Sequence, residues 1–83
     1  KIDLTLWPNP ANETIHIKTT ENNTHENAVI QVYAVDGKQV MHYEVSGYSE
    51  TIAVPVEALS NGIYLLSFRK GAQIASKLFF VER

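Results

Sequence analysis

The stretch AVIQVYAVDGKQVMHYEV, residues 28–45, indicates the fold more clearly than any other part of the chain. Two runs rich in branched and aromatic residues flank Asp36 and Gly37. Such runs favour β-strands, and an Asp-Gly pair between them is a strong signal for a two-residue hairpin turn, because glycine tolerates a positive φ. The first run, residues 28–35, is largely apolar on both faces, which predicts a central strand covered on both sides. The second run alternates, which predicts a strand with one buried face.

Alternation with a period of two continues on both sides of this hairpin, whereas helical periodicity is nearly absent. The other predicted strands are residues 2–6, 14–18, 51–54, 63–68 and 74–81. Proline donates no ladder hydrogen bond, so the strand at 51–54 is expected to end before Pro55. The connections are predicted as an exposed loop at 21–27, a single helical turn or crossover at 56–61 and a second hairpin turn at 70–72. About seven short strands predict an all-β, immunoglobulin-like antiparallel β-sandwich, with residues 1–83 as one domain.

The spacing of Leu59, Gly62 and Tyr64 supports the immunoglobulin-like assignment. In such sandwiches a tyrosine near the start of a strand donates its hydroxyl to the backbone a few residues upstream, an arrangement called the tyrosine corner. We therefore expect the Tyr64 ring to be largely buried, with its hydroxyl near the backbone around Leu59.

Composition excludes several classes of protein. The chain has 83 residues, of which 45 % are hydrophobic, a net charge of −2 and no cysteine. This composition is typical of a globular domain, and the small, mixed charge does not favour a nucleic-acid surface. Without disulfides, the hydrophobic core alone must stabilise so small a domain. The sequence begins inside an alternating pattern and has no signal peptide, so we expect it to be a piece of a longer exported protein.

No pattern for catalysis or for a cofactor is present in the sequence. It has no cysteine, no G-x-S-x-G, no P-loop and no dinucleotide fingerprint, and its carboxylates are scattered. His16, His25 and His42 fall on separate elements without the spacing of metal ligands, so each is expected to face solvent. The sequence therefore predicts a protein that is not an enzyme and that holds no cofactor.

A segment with two prolines, Pro8-Asn9-Pro10, lies between the first two predicted strands. Two prolines remove two ladder donors, which predicts a stiff, extended bend in which Asn9 hydrogen-bonds locally. Trp7, the only tryptophan, is expected to anchor this bend in the core or at its rim. The alternative is an exposed aromatic platform for a sugar ring.

Four segments, in order, resemble the motifs of the type A C-terminal sorting domains of the type IX (Por) secretion system of Bacteroidetes. Residues 6–12, LWPNPAN, are similar to the family's YPNPAN opening, with Trp7 where the family usually has Tyr or another apolar residue. Residues 32–40 are similar to its second motif, a strand followed by a G-[KR]-x-V turn, and residues 59–66 to its third, L-x-x-G-[IV]-Y. Residues 77–83 resemble the family's closing strand.

The resemblance implies a non-enzymatic sorting signal that directs an attached N-terminal cargo across the outer membrane and is usually cleaved afterwards. It implies transit through the periplasm to the cell surface or the extracellular space. The implied partners are outer-membrane translocon or shuttle proteins and a sortase-like peptidase. The residues expected to carry recognition are Pro8, Asn9, Pro10, Gly37, Lys38, Leu59, Gly62, Tyr64, Lys77 and Arg83.

Two alternatives stand beside this interpretation. The chain fits a carbohydrate-binding or spacer module of immunoglobulin type on a surface enzyme, which would expose a coplanar strip of aromatic rings. Lys77 and Arg83, likewise, fit either a recognition element or simply a solvated strand face and a charged terminus. Exposed edge strands also allow the isolated domain to form a homodimer by strand exchange.

Overall fold

The computed structural model describes residues 3–19, 27–45 and 51–83. The described residues form seven β-strands and no helix, which confirms the all-β prediction. The strands are β1 (Leu4–Trp7), β2 (Thr14–Thr19), β3 (Ala28–Ala34), β4 (Gln39–Val45), β5 (Thr51–Pro55), β6 (Gly62–Lys70) and β7 (Gln73–Val81). The predicted loop at 21–27 lies outside the described residues, except for the exposed Asn27.

The strands form two antiparallel sheets that pack together as a β-sandwich. One sheet has the order β1-β2-β5 and the other has the order β4-β3-β6-β7. In immunoglobulin terms, β1, β2 and β5 take the places of strands A, B and E. Strands β3, β6 and β7 take those of C, F and G, and β4 lies beside β3. The first and last strands thus lie on neighbouring edges, β1 in one sheet and β7 in the other.

The core follows from the alternation along each strand. Side chains that point inward from both sheets exclude water almost completely; among them are Ile15, Ile17, Val54, Ile30, Val32, Leu66, Phe68, Phe79 and Val81. Burying one aliphatic or aromatic side chain of this size stabilises a fold by roughly 1.5–3 kcal/mol, so this layer is the main source of stability.

Strand β3 is central, as predicted, because it pairs with both β4 and β6. The prediction that both of its faces are covered is wrong. Ala28, Ile30 and Val32 on the inner face are buried, whereas the outer face of the strand is only half-buried. A two-layer sandwich covers each sheet on one face only, and that constraint outweighs the apolar character of the outward residues.

The turn between β3 and β4 is longer than the two residues predicted. Residues 35–38 connect the strands; the Gly37 amide donates to the Ala34 carbonyl, and the Ala34 amide donates to the Lys38 carbonyl. A two-residue type I′ turn needs a positive φ at both central residues, and here only Gly37 has one, at 88°. Asp36 instead accepts a hydrogen bond from the Lys38 amide through its carboxylate, at 3.0 Å.

Three strands have ends that differ from the sequence-based expectation. Strand β5 includes Pro55, because β5 is an edge strand and proline there has no outer neighbour that needs its missing donor. Strands β6 and β7 extend to a two-residue turn whose Gly71 has a φ of 60°, so both are longer than predicted. Residues 56–61 form a crossover between the sheets, which is one of the two predicted forms, and the Leu59 amide donates to the Val56 carbonyl within it.

We expect Gly37→Ala to lower the free energy of unfolding by about 1–2 kcal/mol, the cost of a left-handed backbone for a residue with a Cβ atom. A Cβ atom at Gly37 would meet nothing within 4 Å, so the loss would come from the backbone alone. Gly37→Asn is the matched control and should lose less, because asparagine tolerates this conformation. Chemical denaturation measures both variants, and equal losses for Ala and Asn would contradict the argument.

Candidate functional site

The segment with the two prolines contacts the terminal strand. The Trp7-Pro8 and Asn9-Pro10 peptide bonds are both cis, and residues 8–10 bend rather than continue β1 in an extended form. The Asn9 side-chain oxygen accepts a hydrogen bond from the Phe80 amide at 2.9 Å. The predicted bend between the first two strands is present, but the prediction of a local hydrogen bond at Asn9 is wrong, because the bend brings Asn9 to the open edge of β7.

Ala11 continues this contact as a single parallel bridge to Val81. The Ala11 amide donates to the Phe80 carbonyl at 2.7 Å, and the Glu82 amide donates to the Ala11 carbonyl at 2.9 Å. The Ala11 side chain is completely buried. Residues 8–11 are here named the proline clasp. They bind the amide and the carbonyl of Phe80 and the amide of Glu82, at the end of β7.

Arg83 anchors the other side of the same strand end. Its guanidinium donates through Nη1 to the Leu59 carbonyl at 2.5 Å and through Nη2 to the Val56 carbonyl at 2.6 Å. Its backbone amide donates to the Asn61 side chain at 3.1 Å. A planar guanidinium can hold two carbonyls at once, so Arg83 ties the residue after β7 to the crossover. Of the two alternatives for Arg83, a merely solvated, charged terminus does not fit these contacts.

Tyr64 forms the predicted tyrosine corner. It is only 7 % exposed, and its hydroxyl donates to the Ser60 carbonyl at 2.7 Å. Its ring stacks on Phe79 of β7, with 5.7 Å between ring centroids. Leu59 is buried in the core, and Gly62 has a φ of 158°, which L side chains rarely adopt. The crossover, Tyr64 and β7 therefore form one packed unit.

Lys77 connects the two sheets at their shared edge. Its Nζ donates to the Leu4 carbonyl of β1 at 3.0 Å. This contact joins residues 73 positions apart, and the lysine does not simply extend into solvent. Together with the proline clasp, it holds β1 and the segment after it against β7.

Gly37 and Lys38 lie away from these contacts, at the β3–β4 turn. Gly37 nevertheless borders the same groove on the outer face of the larger sheet as Tyr64 does. The predicted recognition residues thus fall into two groups, one around the end of β7 and one at the hairpin turn.

Trp7 lies on the outer face of the smaller sheet. It is 38 % exposed and stacks on His16, its partner across β1 and β2, with 5.4 Å between centroids. A core position for Trp7 is thereby wrong, because its strand position points outward. Among the described residues, this face offers one stacked pair rather than the strip of rings that a carbohydrate-binding module would present.

The histidines are placed differently from one another. His42 is exposed, as predicted, and His25 lies outside the described residues. His16 also lies on the outer face of its sheet, as predicted, where its contact with Trp7 covers part of the ring. In residues 3–19, 27–45 and 51–83, no three His, Cys, Asp or Glu side chains are grouped as a metal site requires. The described chain also has no helix that is long and apolar enough to cross a membrane.

Two features of this region were not predicted from the sequence. The acceptors of the Arg83 guanidinium are backbone carbonyls, which no side-chain pattern reveals. The outward positions of β6 and β7 are also apolar and exposed, at Ile63, Leu65, Leu78 and Phe80. The sequence does contain a signal for this exposure. Two adjacent apolar residues in a strand point to opposite faces, as in Leu65-Leu66 and Phe79-Phe80, so one residue of each pair must point outward.

We expect Asn9→Ala to lower the free energy of unfolding by about 1 kcal/mol, because the Phe80 amide loses its acceptor. Hydrogen exchange at the Phe80 amide should become faster than in the wild-type chain. Asn12→Ala, at an exposed position near the same bend, is the control and should leave that exchange rate unchanged. An unchanged rate in Asn9→Ala would contradict a role for this hydrogen bond.

Arg83→Lys keeps the positive charge but cannot hold two carbonyls with one planar group. We expect it to lower the free energy of unfolding by about 1 kcal/mol, in line with the loss of one or two hydrogen bonds. The same substitution at the exposed Arg69 of β6 is the matched control. Thermal and chemical denaturation compare the two variants. Equal stability would contradict the prediction, because it would show that a positive charge at residue 83 stabilises the fold as well as the planar guanidinium does.

Comparison with known proteins agrees with this geometry. A family model described as "Secretion system C-terminal sorting domain" matches residues 5–82, which is essentially the whole chain. No curated protein matches the sequence. The matched range includes the proline clasp, the hairpin turn, the tyrosine corner and β7. The chain belongs to the family of C-terminal sorting domains of the type IX secretion system.

Proposed function

We propose that residues 1–83 act as a folded sorting signal, which directs an attached N-terminal cargo across the outer membrane through the type IX secretion system. The observation that carries this proposal is that the segments of this chain that resemble the family's motifs hold β7 in place. Asn9 accepts from Phe80, Tyr64 stacks on Phe79, and Arg83 binds the crossover. The segments that resemble the family's motifs thus converge on one structural element.

These contacts favour recognition of shape over recognition of charge. The polar groups of Asn9, Tyr64, Lys77 and Arg83 all bond to backbone atoms of the domain itself. A partner that needed these groups would have to break those bonds first. The proposed role of the motif residues is therefore to hold the terminal strand in one geometry that the secretion machinery binds.

The family also supports a route for the cargo. A type IX sorting signal implies export to the cell surface or extracellular space. We propose that the cargo passes through the periplasm and that translocon or shuttle proteins of the outer membrane bind the domain there. A sortase-like peptidase then removes the domain from the cargo. Sorting domains of this family are not normally catalytic, and we assign no reaction to this one.

A fusion of residues 1–83 to the C-terminus of a reporter with a Sec signal tests the proposal in a host with a type IX system. We expect the reporter at the cell surface or in the medium, as measured by fractionation and by protease accessibility on intact cells. Deletion of residues 79–83 removes the buried Phe79 and Val81 and the Arg83 anchor, and should leave the reporter in the periplasm.

Two controls make the result specific. The same fusion in a host that lacks the translocon should stay in the periplasm. Glu57→Gln, at an exposed position of the crossover, should be exported as the wild-type fusion is. Normal export of the 79–83 deletion, or retention of the wild-type fusion in the competent host, would contradict the proposed function.

A further inference from the structure

The outer face of the larger sheet is apolar at one end. Ile63 and Leu65 of β6 pair across the strands with Phe80 and Leu78 of β7, and all four side chains point away from the core. Each is between 37 % and 57 % exposed. Val35, at the neighbouring β3–β4 turn, is 80 % exposed. These five residues are named the outer apolar face.

A groove of about 420 Å³ runs along this face. It lies between the hairpin turn and the paired strands, and its lining includes Tyr33, Val35, Ile63, Leu65 and Leu78. None of these side chains is charged. The next outward pair along β6 and β7, Ser67 and Ser76, is polar and can form a rim. An apolar centre with a polar rim is the usual arrangement of a protein interface.

The outer apolar face is built from the same segments as the recognition residues. Ile63 and Leu65 flank the buried Tyr64, and Leu78 and Phe80 flank the buried Phe79. Because neighbouring residues in a strand point to opposite faces, each contact that fixes the inner side chains also fixes the outer ones. The hairpin turn at Gly37 places Val35 beside them.

We propose that a component of the secretion machinery binds the outer apolar face through an uncharged surface that inserts a large aliphatic or aromatic side chain into the groove. This inference rests on the proposed sorting function and specifies the chemistry of its partner. The absence of charge in the groove lining excludes recognition by ion pairs at this place. Burial of one apolar side chain in a groove is how protein interfaces commonly concentrate binding energy.

The area of the face favours such a partner over a second copy of the chain. The five residues of the outer apolar face are between 37 % and 80 % exposed, which leaves about 500 Å² of their surface open to solvent, as large as the largest apolar patch of a typical monomer. An interface of standard size buries about 800 Å² per partner, of which a little more than half is apolar. The exposed surface of this face is close to that apolar part. A permanent homodimer buries more than about 1,000 Å² per copy, of which about 65 % is apolar, so it needs more apolar surface than this face offers.

The test introduces a charge into the face within the reporter fusion. Leu78→Lys places an ammonium group in the groove, while the lysine stem still covers the strand. The matched control is Ile74→Lys on the same strand and the same outer side, at a residue that is 64 % exposed and outside the groove. We expect surface delivery to fall about tenfold for Leu78→Lys, equivalent to about 1.4 kcal/mol of binding free energy, and to be unchanged for Ile74→Lys.

A second variant separates binding from folding. Val35→Lys lies on the exposed turn, where the substitution leaves the core intact, and should reduce delivery in the same way. Thermal unfolding of the purified chains should give similar midpoints for Val35→Lys, Ile74→Lys and wild type. Loss of delivery in Val35→Lys with an unchanged midpoint supports the inference even if Leu78→Lys unfolds.

The outcomes distinguish this inference from the proposed function. Export of Leu78→Lys and Val35→Lys at the wild-type level, alongside export of the wild-type fusion, would overturn the inference and leave the sorting function standing. Retention of the wild-type fusion would overturn both. Sedimentation that shows a wild-type dimer, which Leu78→Lys converts to monomers without loss of export, would identify the face as a self-interface and would also overturn the inference.

Discussion

The pairing of Ala11 with the end of β7 is the contact on which the rest of the structure depends. It joins the first segment of the chain to the last through backbone hydrogen bonds at Phe80 and Glu82, and Asn9 adds a third bond at the same edge. Strands β1 and β7 belong to different sheets, so nothing within either sheet would hold these edges together. Closure at this edge buries Ala11 and keeps Phe79 and Val81 in the core.

A small domain without cysteines needs such closure. A chain of 83 residues buries a limited share of its surface, and no disulfide restrains its ends. Here hydrogen bonds from Lys77 and Arg83 to distant carbonyls take that role. Long basic side chains usually extend into water, so their use for internal bonds is a specific feature of this fold. It explains how residues that resemble a recognition motif can serve the geometry of the terminal strand.

The two outer faces of the sandwich differ in chemistry. The smaller sheet presents Thr5, Lys18 and Thr51 around the stacked pair of Trp7 and His16. The larger sheet presents an uncharged apolar surface at the end where the tyrosine corner and the proline clasp meet. The apolar surface therefore lies over the contacts that fix the terminal strand. A change in those contacts would alter the inner packing and the outer surface together.

The sequence by itself determined the strands, their number and the tyrosine corner, because each depends on residues close together in the chain. The alternation predicts which side of a strand is buried, and Tyr64 reaches Ser60 only four residues upstream. The tertiary structure alone decided the partner of Asn9, 71 residues away, and the carbonyls that Arg83 binds. It also decided the exposure of Ile63 and Phe80. Such contacts depend on how the two sheets close on each other, and no local pattern of residues encodes that closure.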